Sequence, residues 1–149
     1  MRVDFYQLGA APLEQVIATL GEKLIGQGER LLIVADDDAR LARLDRMLWD
    51  HIPAGFLPHG IAGGSEDSRQ PILLSTSPDA ANRARNILLA DGKWREAALA
   101  FHRAFYLFDQ ASLDEARAAW RSLGGSGERH YWANENGRWI EKASDSPKR

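Results

Sequence analysis

Arg117 and Arg121 stand one helical turn apart, with Trp120 beside them, in the run Ser112-Leu-Asp-Glu-Ala-Arg-Ala-Ala-Trp-Arg-Ser-Leu123. Two guanidinium groups next to a half-buried indole suit a short acidic peptide end that carries an aromatic ring. Its carboxylates would take bidentate hydrogen bonds from arginine, and its ring would pack on the tryptophan. The competing reading is a core edge with solvated charges. Asp36, Asp37 and Asp38 form a second cluster, and adjacent carboxylates can hold magnesium. Capping and the positive end of the helix that follows account for them more simply. His59 has no cysteine to pair with and no serine in a nucleophile elbow, so a structural, hydrogen-bonded histidine is expected. Gly60-Ile-Ala-Gly-Gly-Ser65 lacks the Gly-Lys-Ser/Thr ending of a phosphate loop and reads as a flexible loop.

These residues need elements to position them. Ser112 to Leu123 reads as a helix, with Ser112 and Glu115 in capping-box spacing and Gly124-Gly125 as the stop; Leu113, Ala116, Trp120 and Leu123 form its core stripe. Val3 to Leu8 reads as a strand, and Pro12 opens a helix whose Leu13, Val16, Ile17, Leu20, Leu24 and Ile25 face a core. Arg30 to Ala35 has the continuous apolar pattern of a strand buried on both faces. A helix from Ala39 to Trp49 follows, its Leu41, Leu44, Met47 and Leu48 apolar and its Arg40, Arg43 and Arg46 along another face; Trp49 is either a core plug or one wall of a peptide pocket. Further strands are expected over Phe56 to His59, Pro71 to Thr76, Asn86 to Ala90 and Arg103 to Phe108, with a partly helical Ser77 to Arg85 connection and a short helix carrying Trp94, Ala98 and Phe101. Arg129 to Ala133 and Arg138 to Glu141 flank Asn134-Glu-Asn-Gly137 as a hairpin. Strand, helix, buried strand predicts an α/β fold: one domain over residues 1–142, an open, mostly parallel twisted sheet flanked by helices, followed by a flexible tail, 143–149.

Composition narrows the function classes. The chain has no cysteine, which leaves no disulfide or thiolate metal cluster, and it carries a formal net charge of −2. That charge does not favour a general binder of phosphate backbones. Direct single-strand binding through the five tryptophans would need a basic groove that the net charge does not suggest. No signal-peptide pattern and no long apolar run appear, so a soluble cytoplasmic protein with no membrane association is expected.

Taken together, the motifs resemble the chi subunit family of bacterial DNA polymerase III holoenzyme. The likeness runs through Asp4-Phe-Tyr-Gln-Leu8, Arg30-Leu-Leu-Ile-Val-Ala-Asp-Asp37, Leu41-Ala-Arg-Leu-Asp-Arg-Met-Leu-Trp49 and Phe56-Leu-Pro-His59. It continues in Pro71-Ile-Leu-Leu74, Asn86-Ile-Leu-Leu89 and Ala116-Arg-Ala-Ala-Trp-Arg121. The resemblance implies a nucleotide-binding-like topology without a phosphate loop, no cofactor, no intrinsic catalytic activity, and a role as an adaptor of the clamp loader. It implies two partners: the acidic carboxyl-terminal tail of single-stranded DNA-binding protein, ending in Ile-Pro-Phe, and the psi subunit or clamp-loader core. DNA would be reached only indirectly, by a monomer or a heterodimer with psi. By carry-over the tail-binding residues are Trp49, Arg117, Trp120 and Arg121, and the psi-binding residues are Phe56 and Leu57. Asp114 stands where some members carry a basic residue, so Arg43 or Arg46 is the fallback for the anion. The alternative, from a different class, is a small metal-dependent nucleotide-binding enzyme using Asp36 to Asp38 and His59 at the carboxyl edge of the sheet.

Overall fold

The computed structural model describes residues 1–51 and 57–146. The period of two in β1 (Arg2–Gln7) sends Val3 and Phe5 to one face of a sheet and Asp4 and Tyr6 to the other. α1 (Leu13–Gly26) follows, with Pro12 one residue ahead of its first turn rather than inside it. Gly28, at φ 74°, closes α1: its N–H donates to Ile25 O and the N–H of Glu29 to Leu24 O. β2 (Leu31–Val34) is buried on both faces, as its unbroken apolar run requires. α2 (Asp38–His51) is capped by Asp37, whose Oδ1 accepts from the N–H of Arg40 at 2.7 Å.

β3 (His59–Ile61) begins where the Phe56 to His59 strand was expected to end, and Phe56 itself lies outside the described residues. Gly60 and Ile61 therefore belong to a strand rather than to a loop. The N–H groups of Gly63 and Gly64 donate to the Asp67 carboxylate at 2.9 and 3.0 Å, so the backbone donors a phosphate loop would offer are already used. β4 (Ile72–Ser75) and β5 (Asn86–Leu89) are buried strands, while the connection between them contains no helix. Asn82, fully buried there, fixes it by donating to Leu31 O and Gln70 O and accepting from the N–H of Ala84. The expected short helix is a 3-10 turn, Glu96–Ala100, and β6 (Arg103–Phe108) follows at its expected boundaries.

α3 (Leu113–Ser122) starts without the expected capping box. The Ser112 side chain makes no capping bond, and Glu115 is drawn away to accept the N–H of Trp94 and, at 3.5 Å, the Tyr106 hydroxyl. Asp109 instead caps the preceding 3-10 turn by accepting from Ala111 N–H at 3.0 Å. The chain ends in a hairpin, β7 (Glu128–Glu135) and β8 (Arg138–Asp145), closed by Asn136 and Gly137, both at positive φ, as a two-residue type I′ turn demands. β8 continues to Asp145, into the stretch assigned from sequence to the tail.

All eight described strands join one sheet in the order β3-β4-β2-β5-β6-β1-β7-β8, parallel throughout except for the β7–β8 pair. This is the predicted α/β architecture. α1 and α2 cover one face and α3 the other, so a core lies on each side: Leu41, Leu44 and Leu48 pack with Leu31 and Ile33, whereas Ala116, Ala119 and Leu123 pack with Leu32 and Val34. No described helix is long and apolar enough to cross a membrane.

Candidate functional site: a cleft between α3 and the terminal hairpin

Small residues set where α3 sits. Ala116 and Ala119 are buried against the sheet, so the helix lies close, and one turn of Arg117, Trp120 and Arg121 is left along its hairpin side. β7 docks parallel to β1, opposing Tyr131 to Phe5 and Ala133 to Gln7. The result is a cleft of about 370 Å3 lined by Gln7, Arg117, Trp120, Arg121, Tyr131 and Ala143. Three of the four residues singled out for the tail, Arg117, Trp120 and Arg121, thus meet in one place.

Trp120 is held from several sides. Its ring meets Phe5 edge-on at 5.2 Å and Tyr131 edge-on at 5.8 Å. The Arg129 guanidinium lies 4.4 Å from its ring centre, and Nη1 of the same arginine donates to Trp120 O. Arg129 is in turn fixed by Asp145 at 2.9 Å. An indole so wedged presents a rigid apolar surface, which lowers the entropy lost when a partner ring settles on it. Tyr131 donates its hydroxyl to Gln7 Oε1 at 2.7 Å. Burial pushes the Tyr131 phenol up, while the positive charge of Arg117 pulls it the other way, which places that guanidinium within electrostatic reach of the cleft wall.

The arginines around the cleft differ in their charge partners. Arg117 and Arg121 are exposed, and neither is paired with a carboxylate among the described residues, whereas Arg129 is neutralised by Asp145. Two unpaired guanidiniums flank one anchored indole. That combination takes an anionic group and a ring at once. Tyr131, Gln7 and Ala143 were missed in the sequence; the period-two alternation of β7 puts Arg129, Tyr131 and Ala133 on one face, but only the pairing of β7 with β1 brings them to α3.

Trp49 is not part of this cleft. It sits on α2, on the opposite face of the sheet, 52% exposed, with its ring 4.5 Å from that of His59 at the β3 edge. Amphipathic patterns mark the buried side of a helix but do not say which face of a sheet it covers, so two tryptophans beside arginines looked like one pocket. Arg43 and Arg46, on the same helix, are equally remote from α3. Leu57 is a second correction: it is 4% exposed and packs in the core beside Gly21 of α1, so its side chain offers no outward contact.

His59 behaves as the structural histidine expected. It is buried, with Nδ1 2.7 Å from Leu57 O and Nε2 3.2 Å from both the Asp45 carbonyl and its carboxylate. It also opens β3 level with Leu31, the start of β2, whereas Asp36 follows the end of β2. The two halves of the metal-enzyme alternative therefore lie at opposite edges of the sheet. Asp36 is held by Lys93 at 2.8 Å and by Arg40 at 3.4 Å, and Lys93 keeps its carboxyl below the ordinary value. Asp37 is the α2 cap, so two of the three aspartates are occupied by structural work.

Comparison with known proteins agrees with the architecture. The family described as DNA polymerase III chi subunit, HolC, matches residues 1–129. Among curated relatives, DNA polymerase III subunit chi of Pseudomonas aeruginosa is 33% identical over 91 residues, 59% of this chain and 62% of that protein. The Escherichia coli (strain K12) subunit is 27% identical over 82 residues, 55% of this chain and 56% of that protein. The matched stretches thus span less than two thirds of either relative, and they stop short of most of the terminal hairpin in the family match. With 129 matched residues covering every element from β1 to α3, the chain belongs to the DNA polymerase III chi subunit family.

Proposed function

We propose that this chain is a non-catalytic accessory subunit of the clamp-loader complex, and that its α3 cleft binds the acidic carboxyl-terminal tail of single-stranded DNA-binding protein. The observation that carries the reading is the convergence of Arg117, Arg121 and Trp120, with both cations unpaired among the described residues. The guanidiniums take the acidic residues and terminal carboxylate of the tail, and its last ring packs on Trp120 against Tyr131. So small a contact has little area to offset the ordering of a flexible tail, so micromolar strength is expected, on the order of −8 kcal/mol. A partner that coats DNA and offers several tails raises the effective concentration. A second contact, to psi or the clamp-loader core, would centre on Phe56, this chain's own aromatic in the Phe-x-Pro-His segment, as the resemblance implies.

The test is a titration with a synthetic peptide ending in Asp-Asp-Ile-Pro-Phe beside the same peptide lacking its final phenylalanine. Binding that requires the terminal ring and weakens with salt upholds the reading. Equal binding of both peptides, or of neither, overturns it.

A further inference from the structure

On the α1 side of the β1–β7 pair lies a larger cavity, about 610 Å3, bounded by Pro12, by α1 as far as Lys23 and by the terminal hairpin. Tyr6 and Trp132 form its floor, ring planes 14° apart and centres 6.4 Å apart, and Trp139 stands over Tyr6 edge-on at 5.1 Å. Val16 and Leu20 of α1 supply the facing apolar wall. Gln15 and Thr19, one turn apart on α1, and Asn134 on β7 bring uncharged donors and acceptors to the same space. One end is cationic. Arg2, Arg103 and Lys23 line it, beside the fully buried carboxylate of Asp4.

Asp4 organises that end. It accepts two bonds from Arg2 at 2.9 and 3.0 Å, one from Arg103 Nε at 2.9 Å, and one from Trp132 Nε1 at 3.0 Å. Two guanidiniums and an indole are thereby locked in place by one carboxylate. Glu128 approaches Arg2 at 3.6 Å, but Arg103 gives Asp4 only its Nε and lays its guanidinium over the Phe105 ring at 4.5 Å, and Lys23 has no carboxylate partner among the described residues. Positive charge is left over. The volume falls within the usual range for small-molecule sites.

We propose that this cavity binds a nucleotide, a heterocyclic base carrying phosphate, taken free or as a unit of single-stranded nucleic acid. The base stacks among Tyr6, Trp132 and Trp139, its polar edge meets Gln15, Thr19 and Asn134, and its phosphate meets Lys23 and the free end of Arg103. An acidic peptide with an apolar ring fits less well, because it would cover those three polar side chains with hydrocarbon and leave them unpaired. The net charge of the chain is negative, so the basic groove that single-strand binding requires exists here only locally. Trp132, Asn134 and Trp139 lie beyond residue 129, so the site is not one the family match defines.

The experiment is a titration of the full chain with thymidine monophosphate, its dinucleotide and a longer oligothymidylate, followed by tryptophan fluorescence. Saturable quenching is expected. Lys23→Glu, at an exposed position, weakens it about tenfold through lost charge complementarity. Trp139→Leu weakens it about tenfold and removes part of the quench, the usual effect of losing one stacking ring. Circular dichroism checks the fold of each variant, and Lys23→Glu carries the test if the hairpin of the other is disturbed. Tighter binding of the dinucleotide and longer strand identifies nucleic acid as the source, whereas equal binding of the monophosphate identifies free nucleotide; both uphold the site. Arg117→Glu leaves nucleotide binding unchanged, which separates this site from the tail cleft. Absence of saturable quenching by all three ligands, unaltered affinity in both variants, or displacement of nucleotide by the acidic tail peptide would overturn the proposal.

Discussion

The two faces of the β1–β7 pair use arginine in opposite ways. Toward α1, Arg2 and Arg103 are tied to the buried carboxylate of Asp4, which also holds Trp132. Toward α3, Arg117 and Arg121 stand exposed and without a carboxylate among the described residues. The first pair is locked into the scaffold, with only the free end of Arg103 left facing the cavity, and removing its anion leaves two partly exposed charges without their buried partner. The second pair is available to a ligand and can be reversed with little effect on the fold. A guanidinium beside an indole therefore says nothing about its role until its counter-ion is known.

The largest effect should come from the scaffold side. Asp4→Ala strands two guanidiniums and an indole N–H, and it is expected to cost about 3 kcal/mol, near the low end for a broken buried pair because both arginines are partly exposed. Urea denaturation measures it. Burial alone pushes the Asp4 carboxyl up, but the hydrogen bonds and charges of Arg2, Arg103 and Trp132 outweigh it and hold the net value below the ordinary one. Its contribution is thus fully present above the ordinary carboxylate range and lost as pH falls through the depressed folded value. The stability gap between the parent and Asp4→Ala should narrow under acid, and a gap independent of pH would mean that Asp4 acts by packing alone.

On the ligand side, Arg117→Glu should leave the urea midpoint within experimental error while weakening the tail peptide by about tenfold to a hundredfold, roughly 1.4 to 3 kcal/mol. Isothermal titration at two salt concentrations checks both parts. A variant that unfolds would place Arg117 with the scaffold and erase the contrast. Smaller still is the effect at His130, which bridges Glu128 and Glu141 across the hairpin. Burial lowers its imidazole, but the two carboxylates raise it further, so the net value lies above the ordinary one. The stabilisation is present below the ordinary imidazole value and lost as pH rises through the raised one. His130→Gln should therefore lower the melting temperature at pH 6 by an amount worth about 0.5 kcal/mol, and by less at pH 9.

How much of this could be read from residues alone follows from range. Local patterns carried the strands: Arg103 to Phe108 is a short run rich in aromatic residues and buried almost throughout as β6, and the Asn136-Gly137 pair specifies its own turn. Capping was legible where one acid had one task, as at Asp37, and misleading at Glu115, whose carboxylate is claimed by Trp94 and Tyr106 from a distant loop and strand. The cleft was half legible. Arg117, Trp120 and Arg121 share one helix, but Tyr131 and Gln7 reach them only through the β1–β7 pairing, which brings together residues as far apart in the chain as Gln7 and Ala133. Trp49 failed for the same reason in reverse, since nothing local tells α2 and α3 to take opposite faces.

That failure yields the sharpest prediction, an effect near zero. Trp49 stands against His59 on β3, and Trp120 stands against Phe5 on β1. Five strand spacings separate those strands, about 24 Å, with the thickness of the sheet in addition. A fully extended pentapeptide reaches about 17 Å. One Asp-Asp-Ile-Pro-Phe end cannot touch both rings, so Trp49→Ala should leave its affinity within twofold of the parent while Trp120→Ala weakens it at least tenfold. Equal losses in the two variants would mean that the tail docks along the β3 edge rather than beside α3. The unpaired arginines of α3 would then have to be explained by another anion, and the contrast between the two faces of β1 and β7 would no longer describe function.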